Sequence, residues 1–233
     1  MTYTNKRKMN SFATKSIFIF FLASILSSTM SAESLIEKAF IKMPDEYYLS
    51  LSSEMRRNMV NDYKKDSAAT QKNRFKGQSS ILKIDSLHSF ISIQNSKNGK
   101  VDMKLLRKND SIIYIAVVFT ACAPVCDSHV GFFAANWQLL NFPLMPSVSI
   151  KDFLDMDKIK SEGKDPDAIA QRFDVTFMQS AFVKNEDNIE VSLNSEKFAD
   201  KDNFEKIKPY LKGNKLLYTW KNGTFEKTSC YNK

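Results

Sequence analysis

The chain has 233 residues, 43% of them hydrophobic and 26% charged, which suffices for a buried core in one large domain or two small ones. Its formal charge of +8 overstates its basicity. Lys6, Arg7, Lys8 and Lys15 lie in the first 32 residues, which hold no acid, so the remainder carries only +4 with both signs interspersed. No basic run is interleaved with aromatics, which removes the main support for nucleic-acid binding.

Residues 1–32 read as a secretory signal peptide. The basic residues precede the apolar run Ile17-Phe-Ile-Phe-Phe-Leu-Ala23, which fades into Ser27-Ser-Thr-Met-Ser-Ala32, with cleavage expected after Ser31 or Ala32. The run falls short of the roughly 20 residues that span a bilayer. A periplasmic or secreted chain with no stable membrane span after cleavage is therefore expected.

In the mature chain, Ser34 and Glu37 have capping-box spacing, and Leu35, Ile36, Ala39 and Phe40 follow at helical intervals. This first helix should end near Lys42, before Pro44. A second, from near Ser53, places Met55, Met59, Val60 and Tyr63 on one face, read as packing surface. Residues 66–77 are polar and read as a linker. Strands are expected over Ser80 to Asp85, Leu87 to Gln94, Val101 to Leu106, Ser111 to Thr120 and His129 to Ala135, joined by short turns such as Asn98-Gly99. Val101, Met103 and Leu105 alternate with Asp102 and Lys104. The run Ile112-Ile-Tyr-Ile-Ala-Val-Val-Phe119 is apolar at nearly every position, which a strand tolerates only with both faces covered, so it should be central.

Pro143 and Pro146 break the pattern and suggest a boundary, giving portions 33–142 and 143–233 after the leader. Beyond it, Ser149 with Asp152 and Asp165 with Pro166 are helix-start signals. Strands are expected over Asp174 to Lys184, where Val175 and Phe177 alternate with polar neighbours, and at Ile189, Val191 and Leu193. A helix opens at Asp202 and Glu205. The chain closes in a hairpin whose Asn222-Gly223 turn sets Trp220 opposite Phe225. The expected fold is α+β, antiparallel sheet with helices on one face. The helix-then-sheet order of each half, with Trp137 and Trp220 late in each, suggests a diverged tandem repeat.

Cys122, Cys126 and Cys230 are the disulfide candidates, since oxidising conditions outside the cytoplasm favour bridges. A Cys122–Cys126 ring adds about 2 kcal/mol by loop entropy, and a bridge from either to Cys230 nearer 5 kcal/mol, so energetics favours the long bridge and proximity the short one. Thiol redox catalysis usually has two residues between cysteines at a helix start; here three follow a strand. His129 near Cys126 reads as a strand-edge residue, and His88 alternates along a strand. Two histidines and three cysteines at these spacings make no zinc quartet, Asp155-Met-Asp157 lacks the rest of a calcium loop, and no glycine-rich phosphate loop is present. No catalytic, metal or cofactor residue is assigned. The loop itself, with Pro124, Asp127 and Ser128, is the expected contact surface.

Several strings together resemble a known family: Phe40-Ile-Lys-Met43-Pro44-Asp45, Met55-Arg-Arg57 leading to Asn61-Asp62-Tyr63, Met103-Lys-Leu-Leu106, and Thr120-Ala-Cys122-Ala-Pro124 with Asp127-Ser128, Phe132-Phe133 and Trp137. The chain is similar to an uncharacterised domain-of-unknown-function family of exported Bacteroidales proteins. It departs at Cys126, where such proteins often carry a small residue, so the resemblance does not imply a local bridge. It implies an exported address and an architecture and supplies no catalytic residue. The reading is an exported cell-envelope protein that binds an envelope protein or glycan without catalysis. The alternative is a thiol-dependent redox factor or enzyme using the Cys122-Cys126 loop.

Overall fold

The computed structural model describes Met1 and residues 33–173, 176–194 and 201–232. Residues 2–32 of the expected leader, and Asp174 and Val175 of the strand expected over Asp174 to Lys184, lie outside the described residues. Helix α1 (Leu35–Lys42) opens on the capping box read from the sequence: Ser34 Oγ accepts from the Glu37 amide, and Glu37 returns a bond to the Ser34 amide at 2.6 Å. Ser52 caps α2 (Ser53–Lys65). Ile36, Phe40, Met59 and Val60 on the inner faces of the pair are buried.

The helices lie over a six-stranded antiparallel meander made of β1 (Thr70–Lys72), β2 (Gln78–Asp85), β3 (Phe90–Ser96), β4 (Gly99–Arg107), β5 (Ile113–Cys122) and β6 (Cys126–Ala134), in that spatial order. Two local readings are corrected. The polar stretch 66–77 contains β1 and a turn organised by Asn73, whose Oδ1 accepts from the Phe75 and Gly77 amides at 3.0 Å while Nδ2 donates to Ser79 Oγ, also at 3.0 Å. Strand β3 begins at Phe90 rather than Leu87, because the Asp85 carboxylate captures the His88 amide at 3.1 Å and Ser89 turns with φ +48°.

The rest of the chain forms a second antiparallel meander. After a 3-10 turn at Ile150–Phe153 come α3 (Met156–Ser161), α4 (Pro166–Ala170), β7 (Met178–Phe182), β8 (Ile189–Leu193), α5 (Lys201–Ile207), β9 (Lys215–Lys221) and β10 (Thr224–Tyr231). The strands lie in the order β10-β9-β8-β7. The closing hairpin has the register read from the sequence. Asn222 and Gly223 take φ 51° and 90°, Phe225 opposes Trp220, and the two rings lie 4.9 Å apart.

The six-stranded sheet is covered on both faces. Val101, Met103, Leu105, Ile115 and Val117 pack under α1 and α2, while Leu106 and Ala116 join Ile189, Val191, Leu216 and Tyr218 in a second core beneath the four-stranded sheet. Strand β5 lies between β4 and β6 with Ile115 to Val118 all at 1% exposure or less. Each such large aliphatic side chain contributes about 1.5–3 kcal/mol by burial. This is the central strand its continuous apolar run predicts.

Candidate functional site

The cysteine hairpin forms the β5–β6 tip. Cys122 and Cys126 are directly opposed strand partners, bonded to each other at 1.99 Å, so only Ala123, Pro124 and Val125 make the turn. The Ala123–Pro124 peptide is cis. Three hydrogen bonds anchor the tip. The Cys122 amide donates to the Asn98 carbonyl at 2.8 Å, joining the β3–β4 turn. Asn194 Nδ2 donates to the Cys126 carbonyl at 3.0 Å, and Asp127 Oδ1 accepts from the Met178 amide at 2.8 Å, so both tie the tip to the second sheet. Val125 is buried beneath it, whereas Ala121, Ala123, Pro124 and Asp127 are exposed.

The candidate contact residues therefore differ in what they offer. Pro124 is free at the apex. Asp127 is exposed yet spends one oxygen on Met178, and Ser128 shares a 2.9 Å hydrogen bond with Thr120 Oγ1. Beside them, a cleft of about 390 Å³ runs along the edge strand β6, lined by Ser128, His129, Phe132, Met145 and Met178. His129 lies on that strand, opposite Phe119, and is exposed.

Cys230 is elsewhere, on β10 opposite Leu216, half-buried and unbridged. Burial pushes its thiol pKa up, which lowers the thiolate fraction that a nucleophile needs. The bonded pair is followed by strand β6, so neither cysteine opens a helix. Among the described residues no three His, Cys, Asp or Glu side chains are grouped to hold a metal ion.

A second cluster, absent from the reading of the sequence, occupies the other end of the sheets. His88 lies in the β2–β3 turn and not in a strand, its Nδ1 3.0 Å from Asp85 Oδ1. Lys83 Nζ lies 2.8 Å from Asp85 Oδ2, and with the His88 amide and ring it holds the Asp85 carboxyl well below the usual carboxylate range. Lys104, 2% exposed, reaches the His88 carbonyl at 3.0 Å and Asp187 Oδ1 at 3.1 Å. The signal in the sequence was the basic, acidic and histidine side chains of 83–88. Their link to Asp187 spans about a hundred residues and leaves no local pattern.

These features define an α+β protein of two stacked antiparallel sheets, helices over the outer face of the larger one, and a disulfide-closed hairpin at one end. Among the described residues no helix is long and apolar enough to cross a membrane. The chain belongs to the family described as "Protein of unknown function (DUF3256)", which it matches over residues 27–225. It shares its fold with a solved structure titled as a domain of an uncharacterized protein from Porphyromonas gingivalis W83, at 24% identity and a TM-score of 0.68, over 84% of this chain and 100% of that one. No curated protein matches it.

Proposed function

We propose that this protein is exported after loss of residues 1–32 and acts in the periplasm or outside the cell as a non-enzymatic module. The β5–β6 tip is its contact surface for an envelope protein or glycan. The observation that carries this reading is the combination of exposure and anchoring at the tip: Ala121, Ala123 and Pro124 face outward while the disulfide, Asn98, Asn194 and Asp127 hold the hairpin from below. A surface fixed before binding loses little conformational freedom on association, which favours affinity.

The test compares wild type with an Ala121→Arg/Ala123→Arg variant, both purified from the native envelope with cross-linking. Equal melting temperatures establish that the variant folds. The variant is expected to lose the partners that wild type retains; identical recovery by the two forms removes the tip as the contact surface. Intact mass of the exported protein is expected to begin at residue 32 or 33. Thiol labelling of the native protein is expected to be confined to Cys230, whereas rapid labelling of Cys122 or Cys126 would favour a redox role.

A further inference from the structure

We propose a second binding site, independent of the tip: the cleft between the β2–β3 and β7–β8 turns takes a small organic anion, a carboxylate, sulfate or phosphate carried on a sugar-sized body. Lys104 is five residues along β4 from Gly99, the strand end beside the tip. At the usual rise per residue this is about 17 Å away, so the two surfaces do not overlap.

The cleft measures about 350 Å³ and is lined by Lys83, Lys104 and Lys184 together with His88, Phe90 and Phe182, and by one carboxylate, Asp85, which is already paired with Lys83 and His88. That volume falls at the lower end of the roughly 300–1,000 Å³ typical of small-molecule sites, which fits one sugar unit better than a polymer. Three lysines line it. Lys83 is committed to Asp85. Lys104 is the built feature: its side chain is 2% exposed, and an ammonium so buried requires compensating partners. It carries three donors, and among the described residues only the His88 carbonyl and Asp187 Oδ1 receive them, leaving one N–H in a group that lines the cleft.

Asp187 is 51% exposed at the side chain, so water screens its hold on Lys104 and a ligand's anionic group can take its place at modest cost. Lys184, exposed and without an ion-pair partner among the described residues, adds a second cation to the lining. Phe90 and Phe182 also line the cleft, and their rings meet at 6.1 Å and 76°, offering an apolar wall to the body of the ligand. His88, with Nδ1 turned to Asp85, leaves Nε2 for a ligand hydroxyl.

The experiment titrates the purified protein with D-glucuronate, galactose 6-sulfate and glucose 6-phosphate, and with neutral glucose and galactose, following backbone amides by NMR. At least one anion is expected to shift the amides of residues 85–89 and 183–188 while the neutral sugars do not. The anion that binds tightest identifies the group recognised. Lys184→Ala is expected to weaken binding about fivefold or more, and raising salt from about 50 to 500 mM to weaken it further, since the rim charges are screened. Lys104→Met is expected to abolish binding; because it removes a buried contact, Lys184→Ala, a surface change, remains the deciding variant. Absence of shifts with every anion at about 10 mM, a range that would still register millimolar affinity, overturns the proposal. Equal shifts by neutral sugars, or an unchanged affinity in Lys184→Ala, would do the same.

Discussion

The guanidinium of Arg56 is wholly buried between the helices and donates to the carbonyls of Leu51 and Met43, with Asp45 Oδ1 3.2 Å away. It thereby satisfies backbone acceptors of the α1–α2 connection, where the chain makes no regular ladder. Arg56→Ala is expected to cost about 3–5 kcal/mol, because it leaves those acceptors buried and unpaired, and Arg56→Lys to recover little because one ammonium cannot reproduce the planar fork. Urea denaturation monitored by circular dichroism measures both; a cost below about 1 kcal/mol for the alanine variant would contradict this role. Asp85 gives a pH-dependent counterpart. Lys83 holds its folded-state pKa below the unfolded value of about 4, so the pair's stabilisation is present above that value and is lost as pH falls through the lower folded one. With Lys83 45% exposed at the side chain, screening limits the loss in Asp85→Asn at neutral pH to about 1 kcal/mol. The gap between variant and wild-type unfolding midpoints is expected to begin narrowing below about pH 4 and to go on narrowing as pH approaches the lower folded-state value; a gap constant with pH would show that the charge is not its source.

Among the elements, the two helices of the outer layer and the closing hairpin follow local rules. Ser34 and Asp165 cap as their spacing indicates, and Asn222-Gly223 supplies the positive φ pair a two-residue hairpin turn needs. Other elements hid from that reading for identifiable reasons. Strand β1 is three polar residues at a sheet edge, with no apolar alternation to mark it, and the β2–β3 turn is made by the Asp85 side chain rather than by glycine or proline. Gly213 is needed for contact. A Cβ there would stand 2.6 Å from the Tyr231 carbonyl oxygen and 2.7 Å from its nitrogen, inside the β9–β10 pairing that passes Asn214 to Tyr231. Gly213→Ala is therefore expected to destabilise the protein by about 1–3 kcal/mol, the range for overpacking against backbone that cannot step aside. The shift in denaturation midpoint measures it, and an unchanged midpoint would show that β10 moves freely at its end.

For the whole molecule, the decisive feature is that one sheet serves two cores. Leu106 and Ala116 on its inner face belong to the cluster beneath the second sheet, Trp220 Nε1 donates to the Arg107 carbonyl at 2.8 Å, and Lys104 reaches Asp187. A fragment of residues 33–142 would leave that face in water, Phe132 and Val130 included. The fragment is expected to bind a hydrophobic dye and to lack a cooperative thermal transition, while the intact protein unfolds with coincident far- and near-ultraviolet signals. Cooperative melting of the fragment close to the intact protein's temperature would show that the first core suffices. The same arrangement sets the disulfide-closed tip at one end of the sheets and the cleft lined by Lys83, Lys104 and Lys184 at the other.

From the sequence alone came the caps, the Asn222-Gly223 turn, the antiparallel meander and the central place of β5, because each rests on neighbours a few residues apart or on a run too apolar to face water; Asn98-Gly99 has no positive φ, and Gly99, in β4, already pairs with Ser96. Three things waited for the tertiary structure. Alternation along β4 reads as one apolar and one solvated face, yet Asp102 and Lys104 are 3% and 2% exposed, since a second sheet covers them and Lys100, Ser92 and Asp187 supply their partners. The pairing of Cys122 with Cys126, left open against Cys230, depended on where β10 lies. The meeting of Lys104 with the β7–β8 turn depended on how two meanders stack. Charge pairing across such distances is fixed by the packing of whole layers, and no local spacing encodes it.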